Sequence, residues 1–160
     1  MHHYFNENGV EVNDFLIGKK AKLIIDSEKR INHAKAHTSG HLLSCVVEKL
    51  APELKGFKGY HFLEGPYVEF HGKLTSSKND ELIENTVKLM QDAISNQLEI
   101  TVKEQVNEND NKSVRTIQID DFEPIPCGGT HLKNISELKQ INIRKIQFSK
   151  GNTKISYSFL

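Results

Sequence analysis

"INIRKIQFSKGNTKISYSF", residues 141–159, holds two strand-like runs joined by Lys-Gly-Asn. In "INIRKIQFS" and "TKISYSF" apolar and aromatic residues alternate with polar ones, the period of a half-buried strand. "KGN" supplies the glycine that a tight hairpin turn calls for, so the segment predicts an antiparallel pair. Upstream, "EITVKEQV" (99–106) and "VRTIQID" (114–120) read as further strands around a "NENDNK" loop at 107–112. "YVEFHG" (67–72) is another, preceded by turn signals at Gly56, Gly59 and "EGP". Short strands are expected within residues 4–26, in "VEVNDFLI" and "KAKLIID".

Two helices complete the pattern. Residues 27–50 carry Leu42, Leu43, Val46, Val47 and Leu50 at helical spacing, with Ser27 as the expected cap and Pro52 beyond the end. Residues 79–97 place Ile83, Val87, Met90, Ile94 and Leu98 on one face, after Ser77 and Asp80 at capping-box spacing. Two main helices packed with antiparallel sheets make an α+β fold. A short strand region, 1–26, precedes a main domain, 27–160, with no repeat and no interdomain linker.

At 160 residues, 37% hydrophobic and 26% charged, the chain fits a soluble domain able to bury a core. No apolar run approaches membrane-spanning length, and no cleavable leader is evident. Two cysteines make no disulfide framework, so a reducing cytoplasm is expected. Net charge is zero but uneven: residues 132–160 hold six basic side chains against Glu137 alone, and 79–123 hold eleven acidic against four basic. The C-terminal excess offers Lys145, Lys150 and Lys154 as candidates for holding phosphates.

"HTSGHLL" (37–43) sets His37 and His41 one helical turn apart, close enough for two imidazoles to share an ion. "PCGGTHL" (126–132) adds Cys127 and His131 around Gly128 and Gly129. The glycines are expected to take positive φ, folding the turn tightly and leaving amides beside the metal for a substrate carbonyl. Two or three imidazoles with one thiolate suit zinc. His33 lies a further turn before His37, so His33/His37 is an alternative pair. A metalloprotease is excluded, because Thr38, Ser39 and Gly40 stand where its glutamate would.

Taken together, "RINHAKAHTSGHLLS", "GYHFLEGPYVEF", "IPCGGTHLKNISEL" and "KGNTKISY" resemble the editing domain shared by alanyl- and threonyl-tRNA synthetases, above all its free-standing AlaX-like form. The resemblance covers residues from about 30 to the C-terminus. It implies Zn2+ on His37, His41, Cys127 and His131, and hydrolysis of the ester joining a wrong amino acid to tRNA. For AlaX-like proteins that means serine, and in some cases glycine, on alanine tRNA. The expected partner is the acceptor end of a mischarged tRNA, with a homodimer also admitted.

Two departures from the synthetase-embedded pattern stand out: Gly40 replaces a common threonine, and Phe57 replaces a glutamine before Lys58-Gly59. His61 and Glu69 then become the polar candidates, both equally readable as surface strand residues. Expected catalytic contributors are Thr38, His61, Gly128, Gly129 and Thr130: the last three near the developing oxyanion, Thr38 reading a serine hydroxyl. His131, ending the Gly-Gly turn, is the ligand expected to yield to water or to the substrate amine. Phe62 and Tyr67 are candidate walls for the terminal adenine. The rival readings are a same-fold hydrolase of another labile ester or amide, and a binding module with structural zinc.

Overall fold

Asp26, rather than Ser27, starts the long helix: its carboxylate accepts the Lys29 amide at 2.9 Å, satisfying one of the donors that a helix start leaves open. The computed structural model describes residues 24–73, 79–106 and 113–160, with Gly18, Lys20 and Lys22. All but the end of the expected strand region 1–26, the cap at Ser77 and the 107–112 loop lie outside the described residues. The elements are α1 (Ser27–Leu50), β1 (Lys55–Tyr60), β2 (Tyr67–His71), α2 (Asn79–Ser95), β3 (Ile100–Val106), β4 (Ser113–Ile119), β5 (Ile125–Pro126), a 3-10 turn (Ile135–Glu137), β6 (Ile141–Ser149) and β7 (Asn152–Phe159).

Among the described residues all strand pairing is antiparallel, as expected of the α+β class. β6 and β7 close on Lys150 and Gly151, both at positive φ (50° and 80°), which matches the twist of a two-residue hairpin. This hairpin forms half of a four-stranded sheet ordered β1-β2-β7-β6; β3, β4 and β5 form a second. The inner face of the larger sheet presents Val68, Phe70, Ile155 and Tyr157 to Leu42, Leu43, Val46 and Val47 of α1. Mid-helix, α1 buries small residues, Ala36, Thr38, Ser39 and Gly40. The sheet therefore comes close enough for the Tyr157 hydroxyl to donate to the Ala36 carbonyl at 2.7 Å.

Two expectations are corrected. Gly56 and Gly59 lie within β1, an exposed edge strand with a bulge between Gly56 and Lys58, and make no turn. They are needed for space: a Cβ on Gly56 would come within 2.5 Å of the Ser44 hydroxyl of α1. On α2 the buried row is Leu82, Thr86, Met90, Ala93 and Ile94, with Ile83 and Val87 only half-buried. Thr86 sits on the core-facing side, so its polarity hides the true stripe. Its hydroxyl is buried with no hydrogen-bond partner among the described residues. Thr86→Val, which keeps the shape and removes that group, is expected to stabilise the protein by about 1 kcal/mol, raising Tm by about 2–4 °C in a thermal melt. An unchanged or lower Tm would mean that the hydroxyl is satisfied. No described helix is long and apolar enough to cross a membrane.

Candidate metal centre

α1 carries His37 and His41 on one face, and the loop leaving β5 brings Cys127 and His131 against it. His41 Nε2 lies 3.1 Å from His37 Nε2, Cys127 Sγ 3.4 Å from His37 Nε2, and His131 Nε2 3.3 Å from Cys127 Sγ. All four donor atoms fall within 4.8 Å of one another. Two neutral imidazole lone pairs approach this closely only with a proton or a cation between them. Tetrahedral zinc, with Zn–N about 2.0–2.1 Å and Zn–S about 2.3 Å, needs donor separations of roughly 3.3–3.6 Å. The three contacts at 3.1–3.4 Å lie near that spacing, while the set as a whole spreads to 4.8 Å, so the four side chains form a group that could close on such an ion. His33 is not among them; its ring meets Phe62 edge-on, 6.2 Å between centroids.

The glycines serve the cluster differently from the expectation. Neither Gly128 nor Gly129 has positive φ. Gly129 is required because a Cβ there would come within 2.2 Å of the His37 ring, whereas Gly128 has open space. The Gly129 amide points to Cys127 Sγ at 3.4 Å, so it supports the sulfur and is not free for an oxyanion. The turn is clamped from β4: the Arg115 guanidinium donates to the carbonyls of Cys127 and Gly129 at 2.6 and 2.9 Å, and the Cys127 amide donates to Arg115 O at 2.9 Å. Sequence reasoning missed Arg115, because nothing in "SVRTIQI" distinguishes it from a solvated strand arginine.

Thr38 is likewise reassigned. It is 0% exposed, its hydroxyl accepts the Leu132 amide at 3.1 Å, and His131 Nδ1 lies 3.4 Å away. With Nε2 facing the cluster, Nδ1–H donates to Thr38, which orients the ring. The Thr38 hydroxyl is thus engaged by Leu132 and His131 instead of facing the cleft, and the His131 ring is held, against the expectation that it is the loose member of the set.

His61 stacks on His37 at 4.9 Å between centroids. A Cβ on Gly40 or Gly59 would come within 2.2 or 2.0 Å of its ring, so the two glycines form the slot that admits it. The space a threonine would fill at position 40 is taken by an imidazole. Tyr157, fully buried and also missed in the sequence, fixes the tautomer: its hydroxyl donates to Ala36 O and so meets His61 Nδ1, 2.9 Å away, with a lone pair. Nδ1 carries the proton, and Nε2 keeps its lone pair.

Burial, and then the charges its neighbours would carry, hold these rings neutral. His41 is lowered to about 3 by burial and then by His37, His131 and His61. His131 is lowered to about 3 by burial, then His37, Arg115 and His61. His61 falls to about 4 through burial and His37. His37 is lowered by burial, against an opposing contribution from the Thr130 backbone. Neutral imidazoles are the form that binds a cation.

Beside the cluster opens a cleft of about 660 Å³, lined by Lys29, Arg30, His33, His61, Phe62 and Thr130 among others. Of the basic candidates, Lys145 and Lys154 lie on the outer face of the large sheet, and Lys150 in its hairpin turn. Glu69 is on that outer face too, 4.0 Å from Lys58, which bears out its surface reading.

Residues 114–155, which include Arg115, Cys127 and His131, match the family described as the threonyl and alanyl tRNA synthetase second additional domain. The chain is 29% identical to the alanyl-tRNA editing protein AlaX-L of Pyrococcus horikoshii, over 87% of this chain and 39% of that protein. It is also 29% identical to the alanyl-tRNA editing protein AlaX-M of Methanosarcina mazei, over 90% of this chain and 63% of the relative. An alanine–tRNA ligase of Acholeplasma laidlawii is 26% identical over 86% of the chain and 18% of the ligase. The chain thus spans less than two thirds of the length of these relatives. Over most of its own length the chain is similar to the alanyl-tRNA editing proteins, and its residues 114–155 match the threonyl and alanyl tRNA synthetase second additional domain.

Proposed function

We propose that the chain hydrolyses the ester of mischarged tRNA in trans, in the cytoplasm, with Ser-tRNA(Ala) as chief substrate and Gly-tRNA(Ala) as a second. The observation that carries this reading is the convergence of His37, His41, Cys127 and His131 on one point beside an open cleft. Three imidazoles and a thiolate favour Zn2+ over harder cations. Zinc, when bound, supplies a Lewis acid next to the ester carbonyl. The protein's own groups do the rest. Thr130 and His61 line the cleft, where an aminoacyl group entering it would lie. His61 Nε2 is an acceptor for a hydroxyl, from water or from serine. Its depressed proton affinity makes it a hydrogen-bond acceptor more than a proton carrier. A cleft of this kind excludes bulky side chains, but separating serine from alanine needs such a polar contact.

One observation favours a second reading. His131 is held by Thr38 and the Cys127 turn by Arg115, a support expected of closed structural zinc sites. Deacylation of seryl-, glycyl- and threonyl-tRNA, with and without chelator, separates the two. The proposed function requires hydrolysis of the seryl ester that stops on chelation and returns with zinc. Unfolding on chelation, with no deacylation by the zinc-loaded protein, would leave the structural site alone.

A further inference from the structure

The connection between β1 and β2 carries His61 into the protein and Phe62 across the mouth of the cleft. From Phe62 a row of rings leads away from the metal cluster. His33 and Phe62 have centroids 6.2 Å apart, Phe62 and Tyr60 4.9 Å, and Tyr60 and Tyr67 5.4 Å at an interplanar angle of 11°. The row ends at Lys154, whose Nζ lies 3.5 Å over the Tyr67 ring. In the sheet register Ser156 stands between Tyr67 and Lys145, which puts a second cation on the same outer face. At the cleft end, Lys29 and Arg30 line the wall beside Phe62.

Phe62 is 54% and Tyr60 37% exposed. Tyr67, covered by Lys154, supports Tyr60 and offers little ring of its own. Two solvated aromatic rings with cations at both ends are the elements by which proteins hold unpaired nucleic acid: bases stack on the rings and phosphates meet the lysines. A duplex cannot use the rings, because its bases already stack on one another. An acidic peptide would engage the cations and leave the rings idle.

We propose that this row is a track for the unpaired 3′ end of a tRNA acceptor strand, with bases on Phe62 and Tyr60 and phosphates near Lys145 and Lys154. The assignment rests on the proposed function in one respect: the esterified terminus must enter the cleft, so the preceding nucleotides leave along the rings. It also gives two of the three C-terminal lysines a place.

The test is binding of a short, labelled, single-stranded RNA ending in CCA, followed by fluorescence anisotropy. Tyr60→Ala and Phe62→Ala are each expected to weaken binding about tenfold. Val114→Ala, 42% exposed on the other sheet, should not. Lys154→Ala should lower the salt dependence by roughly one counterion. The track is overturned if the double variant Tyr60→Ala/Phe62→Ala binds like the wild type. It is also overturned if sedimentation shows the wild type to be a dimer that the double variant cannot form. The RNA carries no ester, so the two readings fail separately. Aromatic-dependent RNA binding without hydrolysis of any charged tRNA would sink the proposed function and keep the track. Hydrolysis with RNA affinity unchanged in the double variant would do the reverse.

Discussion

Cys127→Ala loses zinc affinity by at least about 100-fold, more than the 10–100-fold typical of disturbing a ligand's outer support, while Cys45→Ala keeps it. Cys127 Sγ lies 3.4 Å from His37 Nε2 and 3.3 Å from His131 Nε2, and it takes the Gly129 amide. It is also the only anionic donor of the four. Without it, three neutral imidazoles would hold a dication with the Arg115 guanidinium close by, and no member of the cluster would offset that charge. Cys45 is the matched control. Burial first, and then Glu48, push its thiol up to about 12, and it takes no part in the cluster. Competition against a chromophoric chelator measures both variants. Zinc bound to Cys127→Ala at wild-type affinity would show that the ion, if any, sits elsewhere.

The parts of this protein legible in the sequence were those whose signal is local. The β6–β7 hairpin and the span of α1 were read correctly, because alternation, helical spacing and a turn glycine are properties of neighbouring residues. His37, His41, Cys127 and His131 were legible as a candidate set because metal chemistry restricts residue type and spacing, although spacing alone left His33 open and the family resemblance made the choice. What escaped is set by residues far along the chain. Gly129 is a glycine because of His37, and Gly40 and Gly59 because of His61; conformational freedom was the wrong reason for the first. Thr38 looked like a polar group beside the metal, but the Leu132 amide and His131 seal it in. Tyr157 read as an ordinary strand aromatic, since its partners Ala36 and His61 lie on α1 and beyond β1. Side-chain chemistry was visible in one dimension; occupied space was not.

Acidification should cost the metal-free protein stability earlier than an ordinary carboxylate-driven acid transition would. The sign follows from proton counting. His41 and His131 bind protons near pH 3 when folded, and His61 near pH 4, whereas an unfolded histidine does so near pH 6.5. Between those limits the unfolded chain holds more protons than the native one, so stability rises with pH throughout the window. It is fully present above about pH 6.5 and is lost as pH falls from there, levelling off below about 4 for His61 and below about 3 for His41 and His131. The rings are only partly buried, so solvent screening reduces each contribution. Three coupled groups should still give a clear decline in Tm between pH 7 and pH 5. His131→Gln, which removes one of the three, should make that decline shallower. Saturating zinc should raise Tm at pH 7 and do so less at pH 5, because protons and the cation compete for the same lone pairs. A chelator-treated wild type whose Tm is flat from pH 7 to pH 5 would mean that these imidazoles titrate like free histidines, and so are not packed together as the structure places them.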